Sequence, residues 1–206
     1  MEMSDAGEYR GMEVYDGYHT VRYGMKRAMS KERDTRKTWL EEGLNILAKE
    51  GPSALSIDRL TLATGKTKGS FYHHFSSRDH YIEALLEYHE KNMIDEVVEQ
   101  TNEAGDHQAR LKKLTKLAFQ ISGELELAMR AWALYDPRVK SFQDRLDRRR
   151  LEYARNLYVE SGIAPDKAQM LSHRDYSLFI GLQQLKQYCD ENEFRSILRS
   201  VFTGSA

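Results

Sequence analysis

Apolar residues recur at helical spacing through most of this chain. Leu40, Leu44 and Leu47, flanked by Trp39 and Ala48, form one stripe and predict a helix over about 36–50. Gly51-Pro52 stops it. Ser56 is placed to cap a second helix, about 57–63, with Asp58 in its first turn and Ile57, Leu60 and Ala63 on its buried side. Gly65 marks a turn. Thr67 caps a third helix, about 68–74, in which Phe71 and Phe75 stand four residues apart and face inward. Ser76 or Ser77 starts a fourth, about 78–101, with Asp79 in a capping-box-like place. Ile82, Leu85, Leu86, Met93, Ile94 and Val97 make its apolar side.

Asn102 to Asp106 breaks the pattern. Further helices are expected at about 108–121, 124–135, 138–160, 166–189 and 192–202, punctuated by Asp136-Pro137, Ser161-Gly162 and Pro165. Residues 1–34 show no sustained hydrophobic period and read as a flexible extension. With three prolines and few alternating β-branched runs, the fold class is all-α. No apolar run approaches the ~20 residues that span a bilayer. The acidic opening residues lack the apolar core of a signal peptide. A single cysteine, Cys189, rules out an intrachain disulfide and a four-cysteine zinc site. The expected compartment is the cytoplasm, with no membrane partner.

Charge changes the picture. The overall net charge is −1, but residues 1–21 carry −4, residues 22–78 carry +6 and residues 79–206 carry −3. The positive stretch coincides with the short second and third helices and the turn between them. That arrangement is a helix–turn–helix, in which the first helix braces and the second reads duplex DNA. The reader needs an apolar back, supplied by Phe71 and Phe75. Its front needs hydrogen-bonding groups, and Thr67, Lys68, Ser70, Tyr72, His73 and His74 provide them. Gly69 lets the backbone approach closely, and the helix starts capped by Ser56 and Thr67 present N–H groups that suit phosphate oxygens. His73 and His74 are neighbours in sequence, so their side chains are expected to diverge, and no cysteine or carboxylate spacing completes a metal site. No metal or cofactor is expected.

The string TKGSFYHHFSSRD, preceded by LNILAKEGPSALSIDRLTLATG, resembles the DNA-binding domain of the TetR family of bacterial transcriptional regulators over residues 38–88. Phe71 stands for the commoner leucine, and Arg78-Asp79 for Lys-Glu. The resemblance implies a homodimer on double-stranded operator DNA, and a C-terminal domain that binds a small-molecule effector. By position, Lys68, Tyr72, His74 and Arg78 match phosphate contacts, and Thr67, Gly69, Ser70 and His73 lie where bases are approached. The basic residues Lys26, Arg27, Lys31, Arg33, Arg36 and Lys37 are candidates for an arm into the minor groove. The expected organisation is an extension (1–34), a three-helix helix–turn–helix domain (35–79) and a larger helical domain for ligand binding and dimerisation (80–206).

The stretch from Met129 to Gly162 is also similar to the ligand-domain segment of such regulators. Phe119, Met129, Trp132, Tyr135, Tyr153 and Phe179 are candidates to line an apolar cavity with polar tips, although each taken singly fits ordinary helix core better. Arg145, Arg148, Arg149 and Arg150 alternate with acidic residues and read as an ion-paired exposed face. The helices at 166–189 and 192–202 hold more apolar residues than one core needs, Met170, Leu171, Leu185 and Phe202 among them, and are expected to form the dimer contact. No catalytic signature is visible. The function expected is a ligand-responsive repressor; the alternative is a helical ligand-binding or interaction protein of this fold without DNA binding.

Overall fold

The computed structural model describes residues 31–118, 120–185, 188–190, 192–193 and 196–197, with side chains from residue 35 onward. Among these the chain is helical throughout, without strands. In order come α1 (Lys31–Glu50), a tight turn (Pro52–Ala54), α2 (Ile57–Thr64), α3 (Lys68–His74) and α4 (Arg78–Glu90). A wider, π-type turn (Lys91–Asp95) joins α4 to α5 (Glu96–Asn102) with helical backbone on both sides, so the three pieces form one rod. Then follow α6 (His107–Ala118), α7 (Gly123–Ala133), α8 (Pro137–Glu160) and α9 (Pro165–Leu185). The expected helix over 192–202 falls mostly outside the described residues, as do residues 1–30.

One boundary differs from the sequence expectation. Helix α1 is already helical at Lys31, the first described residue, rather than from near 36. Lys, Glu and Arg are good helix formers and no glycine or proline interrupts Lys31–Lys37, so the helix extends back into the stretch read as an extension. The described part of α9 ends at Leu185.

Helix α1 is the hub, packing on α2, α4 and α7. Trp39, Leu40 and Leu47 on its inner face are completely or almost completely buried, as are Leu60 of α2, Phe71 and Phe75 of the reader segment, and Tyr81 and Leu85 of α4. The aromatic rings interlock. Trp39 meets Phe71 edge-on at 5.5 Å between centroids, Phe71 lies 5.2 Å from Phe75, and Tyr81 meets Phe75 edge-on at 5.0 Å. Such pairs add about 0.5–1.5 kcal/mol each beyond simple burial. The same apolar cluster continues through Ile94 into Leu125, Met129, Trp132, Val139, Phe142 and Leu146, so the reader unit and helices α7 and α8 share one core.

Helices α1 and α4 meet tightly at Gly43. Tyr81 Oη donates to the Trp39 carbonyl at 2.8 Å, and the phenol lies against the Gly43 backbone. A Cβ at Gly43 would stand 1.8 Å from Tyr81 Oη, so only glycine fits while the phenol is there. Gly43→Ala is expected to destabilise the protein by about 1–3 kcal/mol through overpacking. Adding Tyr81→Phe, which removes the clashing oxygen, should recover part of that loss. Denaturant unfolding of the single and double variants checks this; a Gly43→Ala variant as stable as the parent would show that the helices separate freely.

Candidate nucleic-acid interface and internal cavity

Local capping chemistry sets the geometry of the reader. Ser56 Oγ accepts from the Arg59 N–H at 3.2 Å and starts α2. Gly65 ends α2 in the left-handed region (φ 64°), a conformation costly for residues with a Cβ. Thr67 Oγ1 then accepts from the Ser70 N–H at 3.2 Å and starts α3. Ser77, not Ser76, caps α4 by accepting from the His80 N–H at 3.0 Å. His80 Nδ1 in turn accepts from the Ser76 N–H at 3.1 Å. Asp79 therefore has no part in a capping box. It reaches instead to Arg138 at the start of α8, at 3.0 Å.

These caps hold α3 with a sharp division between its two sides. Phe71 and Phe75 are 0% exposed. Thr67, Lys68, Gly69, Tyr72 and His73 are exposed, with Ser70 and His74 half-buried beside them. Tyr72 is 53% exposed, its ring edge-on to Phe71 at 5.5 Å. A Cβ on Gly69 would meet nothing closer than Thr67 Oγ1 at 3.7 Å, so no internal clash requires glycine there. The His73 and His74 rings do not diverge as expected; they stand edge to face, 5.1 Å apart. Among the described residues no cluster of three His, Cys, Asp or Glu side chains could hold a metal ion.

The cations on this surface are partly engaged. Lys68 Nζ pairs with Asp58 of α2 at 2.5 Å, and this hydrogen bond raises the lysine's pKa. Both groups are more than half exposed, so water and phosphate compete readily for the ammonium. Arg78 donates through Nε to the Leu55 carbonyl at 2.8 Å, fixing the turn before α2 to the start of α4. One of its five N–H donors serves this bond. Of the residues considered for an arm, Arg36 lies on α1 over the Phe75 ring at 5.2 Å and Lys37 pairs with Glu41 at 3.3 Å. Lys31 and Arg33 fall within α1, and Lys26 and Arg27 lie outside the described residues.

The second half of the molecule contains a cavity of about 110 Å³ between the rod, α6, α8 and α9. Met93 and Val97 wall it from the rod, Leu111, Leu114, Thr115 and Ala118 from α6, and Arg150, Ala154 and Tyr158 from α8. Ile121 and, on α9, Asp175, Tyr176, Leu178 and Phe179 complete the wall. Of the six residues expected to line such a space, Phe179 does so. Met129 and Trp132 are buried in the shared core instead, because α7 packs between α1 and α8. Tyr135 is 86% exposed at the α7–α8 turn. Tyr153 sits near the rim of the fold, donating to Asn102 Oδ1 at 2.9 Å. Phe119 lies outside the described residues. The actual wall mixes aliphatic side chains with the rings of Tyr158, Tyr176 and Phe179, and no spacing in the sequence marks them as a group.

The arginine run of α8 splits in two. Arg145 and Arg149 bind Glu90 at 3.0 and 3.1 Å, and Arg149 also binds Asp95 at 2.8 Å, clamping α8 to the π-type turn. Arg150 departs from the exposed face expected of it. Its side chain is 12% exposed and pairs with Glu126, which is 2% exposed. On α9 the apolar surplus also divides. Leu171, Phe179 and Leu182 are buried within the chain, while Met170 and Leu185 are 58% and 53% exposed.

The same architecture recurs among known proteins. Residues 40–85 match the family model of bacterial regulatory proteins of the tetR family. No curated protein matches the chain. Among solved structures, Escherichia coli NemR in its reduced form is 20% identical at a TM-score of 0.70, over 82% of this chain and 96% of that one. A Saccharomonospora viridis protein solved in complex with choline is 17% identical at a TM-score of 0.71, over 84% and 97%. A TetR-family regulator of Streptomyces coelicolor is 18% identical at 0.69, over 82% and 93%. The chain thus has the fold of tetR-family regulators along most of its length, and their N-terminal domain in sequence. No helix among the described residues is long and apolar enough to cross a membrane.

His89, on the last turn of α4, is buried and both ring nitrogens lack partners. It packs on Phe142, with Glu126, Arg150 and Glu90 the nearest influential charges. Burial pulls its pKa from the ordinary 6.5 down to about 4. The folded pKa lies below the unfolded one. The neutral imidazole's contribution is therefore complete above about pH 6.5 and is lost as pH falls towards 4, where the unfolded chain takes up the proton first. The loss across that window is ~3 kcal/mol. A His89→Leu variant should lose correspondingly less stability between pH 7 and pH 4.5 than the parent in urea unfolding. Parallel losses in both proteins would remove His89 from the acid response.

Proposed function

We propose that this protein is a homodimeric, cytoplasmic transcriptional repressor that reads operator DNA through α3 and is released by a small-molecule effector held in the second half of the molecule. The observation that carries the reading is the division of α3: two fully buried phenylalanines behind, and a front of exposed hydroxyl, amine, phenol and imidazole groups. Seating the helix in the core calls only for its apolar back, so a polar front of this composition suits an outside partner. The +6 charge of residues 22–78 supplies the field that draws such a surface to phosphate.

On a duplex, Thr67, Gly69, Ser70 and His73 would meet base edges in the major groove. Lys68, Tyr72, His74 and Arg78 would hold the flanking phosphates, with the helix starts capped by Ser56 and Thr67 offering backbone N–H groups. Lys68 would exchange Asp58 for a phosphate oxygen. The exposed Met170 and Leu185 on α9 support a contact with a second copy of the chain, which would place two readers on half-sites about one helical turn apart.

The effector's route to the reader follows the rod. Met93 and Val97 wall the cavity, and the same rod begins at Arg78 beside α3. Arg138 ties the start of α8 to Asp79, one residue further along. A ligand that fits the cavity better when the rod is displaced would shift the population towards readers wrongly spaced for DNA. Turning a 1:99 balance into 99:1 requires about 5.5 kcal/mol of differential affinity.

Salt-titrated binding to operator-like DNA tests the reading. Lys68→Ala is expected to weaken binding to all sequences alike and to flatten the slope of log affinity against log salt by about 0.9 for each phosphate that the lysine no longer neutralises. Ser70→Ala or His73→Ala should change sequence preference instead. A Lys68→Ala protein with unaltered affinity and slope would overturn the assignment and favour a ligand-binding protein that does not act on DNA.

A further inference from the structure

Opposite charges lie at two places in the same chain. Residues 1–21 hold Glu2, Asp5, Glu8, Glu13 and Asp16 against a single Arg10, a side-chain net of −4, with Tyr9, Tyr15 and Tyr18 interleaved. Residues 66–78, which span the turn, α3 and the start of α4, hold Lys66, Lys68 and Arg78 and no acidic residue, a net of +3. The front of α3 is exposed at Thr67, Lys68, Gly69, Tyr72 and His73. This face already accepts a carboxylate where a phosphate would sit, since Lys68 Nζ holds Asp58 at 2.5 Å. Connectivity puts the acidic residues within reach of it. The Arg36 guanidinium lies over the Phe75 ring at 5.2 Å, so the first turns of α1 stand beside the C-terminal end of α3. Lys31 is five residues before Arg36, about 7.5 Å further along the helix. The ten residues from Val21 to Lys31 reach at most ~35 Å, and α3 is only about 10 Å long.

From this complementarity we infer that the front of α3 is a docking site for residues 1–21 of the same chain, whose carboxylates take the place of phosphates and cover the reader when DNA is absent. The docking site stands on the charges and the connectivity; its consequence for DNA rests on the proposed regulator. Tethering raises the effective concentration of the acidic residues into the millimolar range, so a contact too weak to matter between separate molecules occupies the site within one. The interleaved tyrosines suit the exposed ring of Tyr72. Duplex DNA wins the exchange because it presents a continuous row of phosphates and releases condensed counterions, which a short peptide does not. With the reader covered about four-fifths of the time, the apparent affinity for DNA falls about fivefold.

Photo-crosslinking on the full chain tests the docking without DNA. A Tyr15→benzoylphenylalanine chain is expected to crosslink to itself, and trypsin digestion with mass spectrometry should find the product on the fragment Gly69–Arg78. A random-sequence duplex should suppress that product. Fluorescence anisotropy on the same duplex then measures the consequence. A chain carrying Glu2→Gln, Asp5→Asn, Glu8→Gln, Glu13→Gln and Asp16→Asn should lose the crosslink and bind the duplex about fivefold more tightly than the parent at low salt. None of these five positions belongs to the described helices, so the variant leaves their core untouched. Crosslinks confined to residues 22–37 or joining two copies, no crosslink at all, or equal and measurable duplex affinity of the two chains would each overturn the inference. Tighter duplex binding by the neutralised chain with no crosslink in the parent would show plain repulsion between the acidic residues and DNA, and would overturn it too. A crosslink on Gly69–Arg78 with no duplex binding by either chain would uphold the docking site and refute the regulator.

Discussion

The structure depends on the seating of two phenylalanines under α1. A seven-residue helix cannot hold itself together in water, since helix nucleation is unfavourable and so short a segment gains few hydrogen bonds. Helix α3 persists because Phe71 and Phe75 enter a group of rings completed by Trp39 and Tyr81, and because Thr67 satisfies the free N–H of Ser70 in its first turn. That anchorage turns the opposite flank towards solvent. It also explains the tight fit of α1 against α4, where Tyr81 reaches across to a main-chain carbonyl and Gly43 yields the room.

The second half of the molecule extends this anchorage. The apolar cluster passes from α1 and α4 into α7 and α8 without a break, and ion pairs reinforce the seam at both ends: Asp79 with Arg138 near the reader, Glu90 and Asp95 with Arg145 and Arg149 further along. These pairs are largely solvent-facing on the arginine side and each is worth little alone. Their placement matters more than their strength, because they bind α8 to the rod at two points about three helical turns apart along it. The cavity lies at the second point, where Met93 is part of its wall. Anything that moves its walls acts on a rod already fixed at the end nearest α3.

Much of the N-terminal unit was legible in the sequence because its determinants are local. Ser56, Gly65 and Thr67 act within three residues of themselves, and a Phe pair spaced by four fixes a helix face without reference to the rest of the chain. Other features depend on distant partners. Gly43 is required by Tyr81, and the partner that Asp79 takes, Arg138, lies 59 residues away. Arg150 becomes buried only because α7 and α9 close over it with Glu126 and Tyr176. The cavity wall was the least legible. Large side chains draw attention in a sequence, yet Met129 and Trp132 fill space, whereas part of the wall of the void comes from modest side chains such as Thr115, Ala118 and Ala154.

The wide turn at Lys91–Asp95 accommodates one residue more than an ordinary helical turn in that position. Were the rod to relax to regular winding there, everything on one side would advance by about 1.5 Å and rotate by about 100° relative to the other. The rod thus carries a built-in gear step at the edge of the chamber, where Met93 lies in the turn itself, large enough to re-aim an entire helix face without bending the shaft.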